Sequence, residues 1–156
     1  MIKYSGADIR QRVECILARI RSERAAIEGV AASTAVGLMT YRIHNQGLDS
    51  DGLPIGQYKP LTVKYRRSKG LQTAYVDLQD TERLFRAQQV VNDGGHLVAA
   101  IVGIRSDNRE SNADLSYWME DHFGATIFEP TKDELKAIDA EVDKKIDQIL
   151  RGCGLL

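Results

Sequence analysis

Residues 49–52 read Asp-Ser-Asp-Gly, alternating carboxylates before a glycine, a pattern able to wrap a hard cation such as calcium in oxygen ligands. A complete calcium loop needs a third oxygen-bearing side chain and a bidentate glutamate further on. Leu53 and Pro60 stand at those places, so the four residues read as a turn, which aspartate, serine and glycine ordinarily form. The three histidines, His44, His96 and His122, fall in three different predicted elements, and none lies four residues from another ligand as a helical zinc pair requires. Cys15 reads as a small buried apolar residue of a helix and Cys153 as an exposed thiol in a glycine-flanked tail. Neither a Gly-x-Ser-x-Gly elbow nor a phosphate-binding Gly-x-x-x-x-Gly-Lys occurs, and scattered carboxylates nominate no acid–base pair. The sequence therefore predicts no catalytic residue, no metal and no cofactor.

What remains is electrostatic and aromatic. Lys59, Lys64, Arg66, Arg67 and Lys69 are interleaved with Tyr58 and Tyr65, and no acid occurs between Leu53 and Val76. Such a run either attracts phosphates or an acidic protein surface, or is simply a solvated loop. Trp118, with Leu115 and Met119, reads as the core face of a short helix. The alternative is a platform with Tyr117 and Phe123 on which bases would stack.

The elements that must position these residues follow from periodicity. Over residues 8–44, Ile9, Val13, Ile16, Leu17, Ile20, Ile27, Val30 and Leu38 recur at steps of three and four, which is helix spacing, with Ser5 and Asp8 as a capping box at its start. Unbroken, this helix would reach about 50 Å. It must break or project, and Gly29, Gly37 and the small run Ala31 to Thr34 are where a kink is expected. Residues 46–70, rich in Gly and Pro, predict a long assembly or binding loop with a helical turn over 62–68. Runs 85–91 and 96–104, joined by Asn92-Asp93-Gly94-Gly95, predict a β-hairpin that needs a further strand, with 74–78 and 125–128 as the candidate segments. Residues 107–112 read as a polar connection, 113–123 as a helix stopped by Gly124, and Thr131 to Glu134 as a capping box opening an amphipathic helix that ends near Gly152. The fold class is α+β, in one domain spanning 1–156.

Composition bounds these readings. The 156 residues carry 21 Lys+Arg against 22 Asp+Glu, a formal charge of -1, so attraction to nucleic acid or an anionic membrane must be local. Two cysteines are too few for a secreted disulfide scaffold and fit a reducing compartment. No apolar run follows the lone Lys3, and no 18-residue apolar stretch occurs, so the expectation is an intracellular, soluble chain without a signal peptide.

A long first helix is followed by Asp51-Gly52-Leu53-Pro54, then Lys59-Pro60-Leu61-Thr62, Arg67-Ser68-Lys69-Gly70, Val76-Asp77-Leu78, and Thr81 and Leu84 before the hairpin. Phe123-Gly124 and Ile127-Phe128 then precede a capped helix. In this order and texture the chain resembles the small tail-completion and neck proteins of tailed bacteriophages, the group that includes minor tail proteins of lambdoid phages and virion morphogenesis proteins of Mu-like phages. It departs from them at Glu82, where many members carry glycine, and in lacking a tryptophan after the aspartate-glycine turn. The resemblance implies a structural virion protein with no catalytic function. It would be a ring-forming subunit at the head–tail joint, made in the host cytoplasm, contacting connector and tail proteins or the double-stranded DNA that passes through the channel. The alternative is a small nucleic-acid-binding protein that uses the basic run 59–69.

Overall fold

The computed structural model describes residues 5–80, 82–104 and 110–155. Met1 to Tyr4, Thr81 of the resemblance and residues 107–109 of the predicted polar connection 107–112 lie outside the described residues. Helix α1 (Gly6–Ser22) opens on the expected capping box: the Asp8 amide donates to Ser5 Oγ at 3.2 Å, and the Ser5 amide donates to the Asp8 carboxylate at 2.9 Å. The chain breaks at Glu23, between α1 and α2 (Arg24–Tyr41), and not in the glycine and alanine stretch where the kink was expected. Those small residues serve close packing instead. A side chain at Gly29 would begin 3.4 Å from Leu97 Cδ1, and Ala32 and Ala35 are buried.

After α2 comes a π-helical turn (Arg42–Gln46), wide enough to rotate Arg42 and Ile43 into the interior. Gly47 closes it at φ +66°, with the Tyr75 ring so near that any Cβ would overlap it. Only glycine satisfies both conditions. The main core then gathers Ile43, Ile55, Val76, Leu84, Phe85 and Ile127. A smaller cluster of Ala35, Met39 and Ile138 joins α2 to the last helix, α6 (Lys132–Gly152). Between them lie α3 (Pro60–Ser68), a single helical turn α4 (Arg83–Arg86), and α5 (Asn112–Phe123), which stops at Gly124 in the left-handed region.

Strands β1 (Gln88–Asp93) and β2 (His96–Ile101) form the predicted antiparallel hairpin, with Gln88 opposite Ile101 and Asp93 opposite His96. Gly94 and Gly95 both have positive φ, as a two-residue turn matched to strand twist demands. The first strand begins later than expected, because Leu84 and Phe85 belong to α4 and point into the core. Among the described residues the sheet has two strands. The candidate third strands supply buried Val76 and Ile127 as core residues without a ladder, and α2 covers the hairpin in their stead. The Glu28 carboxylate pins the hairpin by accepting from the Leu97 amide at 2.9 Å, and its bond to Arg24, together with that amide, holds its pKa down to about 2. The architecture is α+β.

The cysteine readings are corrected. Cys15 and Cys153 are both half-buried and joined by a disulfide, their Cα atoms 6.0 Å apart across a sequence separation of 138. Geometry alone brings them together, as α1 folds back along the end of α6. A cross-link closing a loop of this length removes about 5 kcal/mol of unfolded-chain entropy in the loop-closure treatment. The link matters locally too, because α1 buries no residue of its own. Reduction is therefore expected to release α1. Hydrogen exchange should rise through residues 6–22 while Ile138 and Ile149 keep their protection, and Tm should fall by about 10 °C or more; unchanged exchange in α1 would refute this.

Glu82 adopts φ +59°, a left-handed conformation that L-residues occupy at a penalty of about 1–2 kcal/mol. Its exposed i,i+4 bond to Arg86 offsets little of that. Glu82→Gly should stabilise the fold by about 1 kcal/mol in urea unfolding, and a loss of stability would count against the assigned backbone.

Candidate functional site

The basic run lies in a segment that the monomer already holds in place. Leu48 and Pro54 form an isolated bridge, and the Ser50 amide donates to the Thr126 carbonyl at 2.8 Å. Asp49 turns its carboxylate inward to accept from the Asp51 and Leu53 amides at 3.0 and 2.8 Å, which confirms the turn reading of 49–52. Ile55 enters the core. Pro60, pre-set in φ, then starts α3, which is longer than the expected turn at 62–68. The expected loop 46–70 is thus a packed segment built around a helix, not a free arm.

The five cations separate into three groups. Arg66 is only 4% exposed, which corrects its expected role as a surface contact. Its Nη2 donates to both oxygens of Asp77 at 2.8 and 2.9 Å, Nε donates to the Gln72 carbonyl at 2.8 Å and Nη1 to the Gln79 carbonyl. The guanidinium lies 4.4 Å from the Tyr58 ring centroid, and the Tyr58 hydroxyl donates to Asp77 at 2.8 Å. Burial, and then that bond to a carboxylate, push the Tyr58 hydroxyl up to about 12. Lys69 is tied to the Tyr65 hydroxyl and lies 3.5 Å from Asp80; the hydroxyl, then Asp80, raise its pKa. Lys59, Lys64 and Arg67 are exposed, with no ion pair among the described residues.

Trp118 is 58% exposed, which corrects its expected place in the core. The core face of α5 is carried by Leu115, Met119 and Phe123 at four-residue steps, and Trp118 falls about one residue's rotation off that line. Its indole stacks on His122, with centroids 4.9 Å apart and an interplanar angle of 16°, and His122 meets Phe123 edge-on at 5.0 Å. Between α3 and α5 opens a groove of about 250 Å³ with Tyr58, Tyr65, Leu78 and Trp118 on its walls and Lys59 and Asp80 at its rim. Leu61, on the same helix as Tyr65, is 82% exposed. Neither Leu61 nor Asp80 was singled out from the sequence. Leu61 sits four residues before Tyr65 on α3, a helical spacing that would have placed both on one face.

Among the described residues no cluster of His, Cys, Asp and Glu is placed to hold a metal ion, and no helix is long and apolar enough to cross a membrane. The groove presents an aromatic and aliphatic surface with exposed Lys59 at its rim, the composition of a protein-contact patch. Comparison with protein-family models, curated proteins and solved structures found no match.

The separation of the cations has a measurable consequence. Arg66→Met would leave Asp77 as a buried charge without its partner and should cost about 3–5 kcal/mol in chemical denaturation. Lys64→Glu on the same helix should change stability by less than about 0.5 kcal/mol. Equal effects would mean that Arg66 is not buried in the folded protein.

Proposed function

We propose that this chain is a structural subunit of the head–tail joint of a tailed bacteriophage, working in the virion as part of a homo-oligomeric ring and engaging adjoining connector or tail proteins through the α3–α5 ridge. The observation that carries the docking role is the ridge itself, where Tyr65 and Trp118 stand exposed beside Lys59 along the groove and exposed Leu61 lies one turn before Tyr65 on α3. Exposed aromatic side chains in a patch of this kind are the usual anchors of protein contacts. The family assignment rests on the sequence resemblance. It draws support from Glu82, whose positive φ is the conformation that favours the glycine many members carry there.

Direct binding of nucleic acid is the weaker reading because of the cation count. With Arg66 buried and Lys69 paired, three cations remain, and three phosphate contacts give a log–log salt slope of about -3 and a loss of about 40-fold between 50 and 200 mM salt. The stacked Trp118 and His122 would accept a base, but so small an electrostatic contribution makes a poor grip.

Sedimentation and electron microscopy of the purified protein across concentration should reveal closed rings, and labelled duplex DNA should bind weakly at 200 mM salt. A monomer at every concentration would overturn the proposal. Tight, steeply salt-dependent DNA binding by that monomer would select the nucleic-acid reading.

A further inference from the structure

Helix α1 presents Ile9, Val13, Leu17 and Ile20 on one exposed face, at steps of four, four and three, and Ile9 is 54% exposed. The grips that hold α1 are elsewhere on its circumference: the Cys15–Cys153 link, Arg12 donating to the Gly154 carbonyl, and, at the α1–α2 junction, Glu23 at 2.7 Å from Lys145. They dock α1 on the last turn of α6 and leave the apolar stripe facing away from the rest of the chain. Arg10 and Arg21 border the stripe on its free side, with Glu14 between them, and neither arginine has an ion pair among the described residues.

A complementary face exists on the same chain. Three of the six acids of α6 are engaged, Asp133 with Lys136, Glu141 with Lys144 and Glu134 with Arg42. Asp139, Asp143 and Asp147 are not paired among the described residues. They recur every four positions as an exposed row beside exposed Leu135. At ~1.5 Å per residue the row spans about 12 Å and the Arg10–Arg21 border about 16 Å, so the row fits within the length of the border along two packed helices.

We infer that α1 of one copy docks on the Asp139–Asp143–Asp147 face of α6 of the next, as the subunit contact of the ring proposed above, on which this inference rests. The occupant is a second copy because the chain carries both halves of the charge pattern unsatisfied. Its own α1 is clamped to the end of α6 with the stripe turned outward. Pairing two α1 helices through the stripe would bring Arg10 and Arg21 against their equivalents, a like-charge arrangement that opposes association. The contact joins two different surfaces, so it propagates head to tail and closes into a ring when its rotation permits.

The test is a charge swap on the full-length, oxidised protein, read by sedimentation. Arg10→Glu with Arg21→Glu should weaken self-association at least tenfold, as should Asp139→Lys with Asp143→Lys and Asp147→Lys. The combined variant should return to within about threefold of the unmodified chain. All five positions are exposed, and unchanged thermal unfolding of each variant would show that folding is intact. Rings that tolerate both sets of changes, or that are not rescued by the combination, would overturn this contact while leaving the ring itself standing. An unmodified chain that stays monomeric would overturn both.

Discussion

The Arg42 guanidinium is the tie on which the arrangement of the remaining parts depends. It donates to the Leu48 carbonyl at 2.9 Å, to the Ile127 and Glu129 carbonyls at 3.1 and 2.8 Å, and to Glu134 at 3.0 Å. One side chain therefore joins the π-helical turn, the start of the 46–70 segment, the approach to α6 and the first turn of α6. Glu134 serves twice, since its other oxygen accepts from the Thr131 amide in the capping box. A buried ion pair of this sort contributes little net stability compared with apolar residues of the same volume, but it tolerates few alternative geometries. Its value here lies in registry, because the acceptors it needs come from Leu48, from the 127–129 stretch and from the first turn of α6.

Arg66 repeats the device on a smaller scale. The π-helical turn and Gly47 deliver the chain to Tyr75 and Tyr58, and Arg66 then fastens α3 to the 72–79 segment through Asp77. Arg66 thereby holds α3 against the segment that supplies Leu78 and Asp80 to the α3–α5 groove. His44, next to Arg42, shows the other side of burial. Its ring meets Phe85 at 3.7 Å, Nε2 has no hydrogen-bond partner, and desolvation lowers its pKa, so the neutral form is the one the core accepts.

Local signals were legible in the sequence where the physics is local. The capping boxes at Ser5 and Thr131, the Gly94–Gly95 hairpin turn, the Asp49 turn and the Gly124 stop each depend on residues within four positions of one another, and each is present. What could not be read depends on distant partners. Gly29 and its alanine neighbours looked like a hinge because their reason for being small, the hairpin residue Leu97, lies 68 positions away. Arg66 looked like one more solvated cation because burying it requires Asp77 and two carbonyls gathered by a fold that composition does not announce. Trp118 shared an apolar neighbourhood with Leu115 and Met119, and the rotation separating it from them is decided by which residues the rest of the core leaves room for. The disulfide is the extreme instance, since nothing short of the antiparallel approach of α1 to the end of α6 brings Cys15 and Cys153 together.

The same subtraction identifies the candidate surfaces. A run of five cations suggests a phosphate grip only while all five are counted as free, and the interior claims one while Asp80 engages another. The amphipathic pattern of α1 suggests a core helix only until its neighbours prove to be held by a cross-link, a carbonyl and an ion pair on other sides. What the fold leaves unsatisfied is an apolar stripe with arginines along one edge, an aspartate row and an aromatic ridge. Burying such surfaces would recover roughly 25 cal/mol per Å² of apolar area. The diversion of Arg42 and Arg66 into the interior, which sets the register of the segments they join, is thus also what removes two charges from the exterior.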